Sequence, residues 1–186
     1  MNRVRPGTAR TARRETADVQ IVGCGRTYWS DDQIGLRVAG LLARNPPPRT
    51  EVTSAESSGV DVIAGSASAS LLVIVDAART AESAETGRIR RFVLHSADLP
   101  SSGGGIPALQ DEHVDSCHGF GVHHALELAA ALGTLPPEVW VYAVAARSFE
   151  PDADASAFVQ EISRLAANQI RADLAAWRSG RSVQRA

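Results

Sequence analysis

Residues Val19 to Gly35 read V-Q-I-V-G-C-G-R-T-Y-W-S-D-D-Q-I-G. Four residues of strand character, Val19 to Val22, run into a glycine pair, a short polar turn and two adjacent aspartates, Asp31 and Asp32. A helical pattern then begins, with Ile34, Leu36, Val38, Leu41 and Leu42 spaced along a helix. Strand, glycine turn and helix in that order open an α/β sheet, and such sheets bind ligands in the crevice outside the carboxyl ends of their strands. Asp31 and Asp32 stand at that crevice.

Outward from this stretch, the helix expected over Asp32 to Arg44 is stopped by Asn45-Pro46-Pro47-Pro48, because proline can neither donate to nor continue a helix. Glu51 to Thr53 begins a short second strand. After the polar turn S-A-E-S-S-G, Val60 to Gly65 reads as a short helix. Leu71 to Val75, L-L-V-I-V, is apolar on both faces, as a strand buried in a parallel sheet should be, and it ends in Asp76. Thr86-Gly87 turns the chain into a further strand, Arg88 to Leu94, nearer an edge. His95 to Asp115 is a long loop containing S-S-G-G-G, a length that in compact domains usually marks function or mobility. Val122, Ala125, Leu126, Leu128, Ala129 and Leu132 then give a helix closed by Gly133. Val139 to Val144 is a strong strand, and Phe158 through Trp177 keep helical spacing. Strands alternating with helices predict a three-layer α/β/α sandwich on a mostly parallel sheet.

A chain of 186 residues with 44% hydrophobic and 22% charged content suits one domain with a real core and is short for two. We expect a disordered basic arm over residues 1–17, a single α/β domain over 18–179 and a disordered tail over 180–186. A net charge of −2 excludes bulk attraction to nucleic acid or membrane as the organising principle. No apolar run approaches the roughly 18–20 residues of a membrane span. Arg13-Arg14 is followed by Glu15, Thr16, Ala17 and Asp18 rather than by an apolar segment, which argues against an export signal. A cytoplasmic protein with Cys24 and Cys117 both reduced is the expectation.

The carboxyl ends of parallel strands share one side of the sheet, so Asp32, Asp76 and the loop holding His118 can converge. Two carboxylates and an imidazole make a site for a borderline divalent ion such as nickel or zinc, with positions left open for water or substrate. Each residue also has a plainer role. Asp31 or Asp32 could serve only as a helix N-cap, Asp76 needs a partner to offset its desolvation, and His118 is one of four histidines between positions 113 and 124. Cys117 beside His118 could form a nucleophile pair, although adjacent residues on a turn seldom point together. A dinucleotide site is disfavoured: G-C-G-R-T-Y lacks the third glycine of the fingerprint, and the aspartates would face a pyrophosphate.

Four blocks carry a family resemblance: G-C-G-R-T-Y-W-S-D-D-Q-I-G, L-L-V-I-V-D-A, S-C-H-G-F-G at Ser116 to Gly121 and S-F-E-P at Ser148 to Pro151. In order and spacing the chain, from about Val19 to Trp177, resembles the hydrogenase maturation proteases, endopeptidases that trim nickel-loaded large-subunit precursors of [NiFe] hydrogenases. The resemblance implies a twisted, mostly parallel five-stranded sheet of the phosphorylase/hydrolase-like kind. It implies that Asp32, Asp76 and His118 are the catalytic and metal-facing residues of an aspartate- and metal-assisted endopeptidase. The implied ion is nickel already installed in the partner, a [NiFe] hydrogenase large-subunit precursor, with zinc or cadmium able to occupy the same donors. Several positions depart from the family pattern. Arg26 stands where asparagine is usual and Gln33 replaces a small residue. The glycine-rich segment after the second strand reads S-A-E-S-S-G, keeping only Gly59, and Ala145-Ala146-Arg147 stands where proline is common. The altered segment makes a non-cleaving relative, which binds a metal-centre precursor or other partner, the alternative reading.

Overall fold

The computed structural model describes residues 17–56, 59–79, 85–99, 115–116, 121–151 and 155–184. Its centre is a mixed sheet with strand order β2-β1-β3-β6-β4, formed by β1 (Val19–Cys24), β2 (Thr50–Ala55), β3 (Leu71–Arg79), β4 (Ile89–His95) and β6 (Glu138–Ala146). A two-residue strand, β5 (Asp115–Ser116), adds an antiparallel pair at the far end of β3. The pairings β2-β1, β1-β3 and β3-β6 are parallel, and β4 joins β6 antiparallel. The edge position expected of the Arg-rich segment is therefore confirmed, and its alternating exposure is that of a strand with one wet face.

Period-two alternation sorts the apolar side chains into two cores. Val19, Ile21, Leu71, Val73, Val75, Trp140, Tyr142 and Val144 pack against α1 (Ile34–Ala43) and α4 (Ala157–Gln184), which offer Val38, Leu42, Ile162, Ala166, Ile170 and Leu174. Val22, Cys24, Leu72, Ile74, Val139 and Val141 face the other way, toward α2 (Gly59–Ile63) and α3 (Val122–Ala131). Both faces of β3 are covered, so its run of apolar residues carries no polar interruption until Asp76. The chain leaves β1 through α1 to reach β2 on one side, then returns through α2 to β3 on the other. The crevice between the carboxyl ends of β1 and β3 is thus a topological switch point, where open α/β sheets place ligands.

Three of the element boundaries that differ from the sequence expectation change the reading of the fold. The residues Ser30–Gln33 form a separate 3-10 turn ahead of α1, so Asp32 precedes the α-helix instead of opening it. β3 continues to Arg79, past the expected end at Asp76, because β6 pairs with it as far as Arg79↔Ala146, whereas its ladder with β1 ends at Gly23↔Val75. Helix α4 runs to Gln184, further than the spacing of large apolar residues marks it. Among the described residues no helix is long and apolar enough to cross a membrane.

Candidate functional site

The loop from β1 to α1 is shaped by close backbone approach. A Cβ on Gly35 would lie 2.1 Å from the Cys24 carbonyl oxygen and 2.4 Å from that of Val75, so only glycine lets the start of α1 sit against the ends of both strands. Gly25, at φ +148°, would bring a Cβ within 2.0 Å of the Asp32 carbonyl oxygen. Between them Tyr28 and Ser30 hold φ of 63° and 42°, a left-handed conformation that costs L-residues about 1–2 kcal/mol each. Strain of this kind persists only where surrounding contacts fix it, and it concentrates at functional sites. Here Thr27 Oγ1 donates to Glu56 Oε1 at 2.7 Å, tying the loop to the end of β2.

The two adjacent aspartates have different tasks. Asp31 Oδ2 accepts hydrogen bonds from the backbone N–H groups of Arg147 and Ser148 at 3.1 and 3.0 Å, and the Asp31 N–H donates to the Ser148 carbonyl at 3.0 Å. Asp31 is therefore the latch that joins the first sequence block to the fourth, just beyond β6. Asp32 is fully buried, and its Oδ2 receives the Nε–H of Arg26 at 2.7 Å. Arg26 in turn lies flat over the Trp29 ring, 3.6 Å from its centroid. The N-cap positions of the 3-10 turn and of α1 are Trp29 and Gln33, and neither makes a side-chain cap bond.

Asp76 lies on the α3-facing side of β3, immediately past the last residue paired with β1. It is 6% exposed, and its Oδ1 accepts the N–H of Ala77 at 2.9 Å. Cys24, the last residue of β1, lies next to both elements: Gly23 pairs with Val75, one residue before Asp76, and Gly35 of the helix that follows Asp32 packs on the Cys24 carbonyl oxygen. Burial first, then the negative charges of Asp76 and Asp32, push its thiol well above the ordinary range. Asp32 and Asp76 thus both act electrostatically on one buried thiol at the switch point. Burial and both charges favour the protonated thiol over the thiolate. His118 and Cys117 lie outside the described residues, as does most of the long loop before them.

Among the described residues no three side chains of histidine, cysteine, aspartate or glutamate are grouped so as to hold a metal ion by themselves. Two buried carboxylates nevertheless suit a cation, and Asp32 already holds one in the guanidinium of Arg26.

Sequence reasoning named Asp32 for the site through the resemblance and left open only which of Asp31 and Asp32 served as a helix N-cap; it did not identify Ser148 as the partner of Asp31. The only sequence signal for the Arg26–Asp32 pair is the departure from asparagine at position 26.

No protein-family model matches the sequence, and no curated protein matches it. Solved structures do share the fold. The hydrogenase maturating endopeptidase HybD from Escherichia coli superposes with a TM-score of 0.65 at 20% identity, over 87% of this chain and 93% of that one. The hydrogenase 2 maturation peptidase from Thaumarchaeota archaeon SCGC_AB-539-E09 gives 0.62 at 21% identity, over 84% and 97%. The [NiFe] hydrogenase maturation protease HybD from Thermococcus kodakarensis gives 0.62 at 21%, again over 84% and 97%.

Proposed function

We propose that this chain, built on the fold of the hydrogenase maturation proteases, is an endopeptidase that removes a C-terminal extension from a nickel-loaded [NiFe] hydrogenase large-subunit precursor. The observation that supports the reading is that Asp32 and Asp76 are buried on separate elements at the carboxyl ends of β1 and β3, where Gly35 packs on the Cys24 and Val75 carbonyls. Fold alone would not carry it, since one fold hosts many activities.

In this reading the precursor docks its metal centre against Asp32, Asp76 and His118. The nickel is part of the substrate, and bound there it would polarise the scissile carbonyl or anchor the peptide. The chain itself supplies orientation and proton acceptance. Asp76 accepts the Ala77 N–H through Oδ1 at 2.9 Å, which holds its carboxylate at the crevice, where it would orient a water or a client ligand. Asp31 keeps the Ser30–Gln33 turn pinned to the end of β6, so that Asp32 approaches the crevice at a fixed height. Dependence on the client's nickel would make processing a check on metal insertion, because an empty precursor lacks the anchor.

The test is to incubate the purified chain with nickel-loaded precursor and weigh the products. A loss of mass equal to the C-terminal extension is expected with the native chain, and none with Asp32→Ala, Asp76→Ala or His118→Ala, each still folded. Cleavage at the native rate by Asp76→Ala would remove the carboxylate pair from the mechanism. The alternative of a non-cleaving binder is favoured by one observation, the guanidinium already seated on Asp32. A stable complex with no mass loss is its signature.

A further inference from the structure

We infer that Arg26 is a specificity-determining residue, a resident counter-ion on Asp32 that makes the site reject a free divalent cation and accept one only as part of a docked client. The inference rests on the proposed role of Asp32 and Asp76 as cation-facing acids, and deepens it. Three observations carry it. The Arg26 Nε sits 2.7 Å from Oδ2 of a carboxylate that has no exposure of its own, whereas the arginine side chain is 26% exposed and therefore lies on the outer side of the pair. A cation approaching Asp32 from solvent must move the guanidinium aside. The guanidinium also has a second resting place, since its flat face is stacked on Trp29 at 3.6 Å and can remain there with the Nε bond broken. Finally, the loop that bears both residues is held in left-handed backbone at Tyr28 and Ser30, with the Tyr28 ring 63% exposed at its tip. A client pressing on that ring acts directly on the segment that positions Arg26.

The electrostatics set the direction. Asp32 and Asp76 together offer a divalent ion two negative charges, and Arg26 cancels one of them at contact distance. A free ion has only its attraction to the acids with which to displace a buried, charge-assisted hydrogen bond. An ion fixed in a client arrives with the client's own peptide contacts, which offset that displacement. Asparagine at this position would remove that positive charge from the Asp32 carboxylate.

The experiment is calorimetric titration of nickel chloride alone into the full chain, compared with Arg26→Asn, Arg26→Lys and the double variant Arg26→Asn/Asp32→Asn. Arg26→Asn should bind nickel more tightly than the native chain by roughly 10- to 1,000-fold, the range over which an adjacent charge changes a carboxylate's affinity for a cation. Arg26→Lys, which keeps the charge, should stay close to native, and the double variant should lose the gain. Equal affinities of the native chain and a folded Arg26→Asn would overturn the inference. With Asp32→Ala still abolishing precursor cleavage, that result would leave the proposed function standing. A gain that survives Asp32→Asn would overturn both the inference and the assignment of Asp32. Should circular dichroism show Arg26→Asn unfolded, the native chain decides the matter through phenylglyoxal labelling read by peptide mass spectrometry. Labelling of Arg26 that rises with nickel-loaded precursor and stays level with nickel chloride alone supports the inference, and labelling that rises with nickel chloride alone, or is unchanged by the loaded precursor, overturns it.

Discussion

Two groups of half-hidden charges flank β6, and they are built on opposite plans. Under α4, Glu138 accepts the indole N–H groups of Trp140 and Trp177 at 2.7 and 2.8 Å, one on each carboxylate oxygen. Asp173 accepts the Tyr142 hydroxyl at 2.7 Å and pairs with Arg91 at 3.0 Å, while Arg91 lies over the Trp140 ring. Carboxylates, rings and cation there close on one another across β4, β6 and α4. At the carboxyl ends of β1 and β3 the acids are more deeply buried, the backbone is strained, and the counter-ion reaches in from a solvent-facing loop. The first network fastens a helix to a sheet. The second is the arrangement that the proposed function uses, with strained backbone and buried acids beside a solvent-facing counter-ion.

The comparison can be broken most severely at the glycine contact that seats the strained loop. Gly35→Ala drives a Cβ into two strand carbonyls and should destabilise the fold by about 3 kcal/mol or more. Chemical denaturation measures this, and an unchanged midpoint would mean the helix can slide without cost. Asp31→Ala removes the acceptor for two backbone N–H groups and should cost about 1–3 kcal/mol while also slowing precursor cleavage, since the turn carrying Asp32 loses its latch. Glu138→Gln sharpens the contrast from the other side. The amide nitrogen cannot accept from the second indole, so stability should fall by about 1 kcal/mol, with cleavage unaffected. A fall in cleavage at native stability would show that the two regions communicate.

The smallest effect is on pH dependence. The Cys24 thiol is raised in the folded chain, so it stays protonated where the unfolded chain's thiol, near its ordinary value of 9.0, ionises. The unfolded state then binds fewer protons, and stability contributed by the neutral thiol is complete below that value and declines as pH rises above it. Native protein should lose up to about 1.4 kcal/mol per pH unit from this source, a slope that Cys24→Ala removes from the denaturation profile between pH 9 and 10.5. Matching slopes would place the thiol in water.

The two sheet faces were legible because period-two burial is written directly in L-L-V-I-V and V-W-V-Y-A-V, where neighbouring residues must both find apolar cover. The extent of β3 was not, since Asp76 looks like a strand end in sequence and is carried past that point only by its register with β6. The carboxylates at 32 and 76 were visible as acids at the ends of apolar runs. The division of labour between Asp31 and Asp32 was invisible, because it depends on backbone N–H groups some 116 residues away.

By itself, then, the sequence determined the layers, the switch point and which residue types gather there, since those follow from local periodicity and from glycines that no other residue can replace. Tertiary structure alone decided which aspartate fastens and which one waits, and that an arginine sits on the second. Those facts come from contacts between elements, whose distances no local pattern encodes.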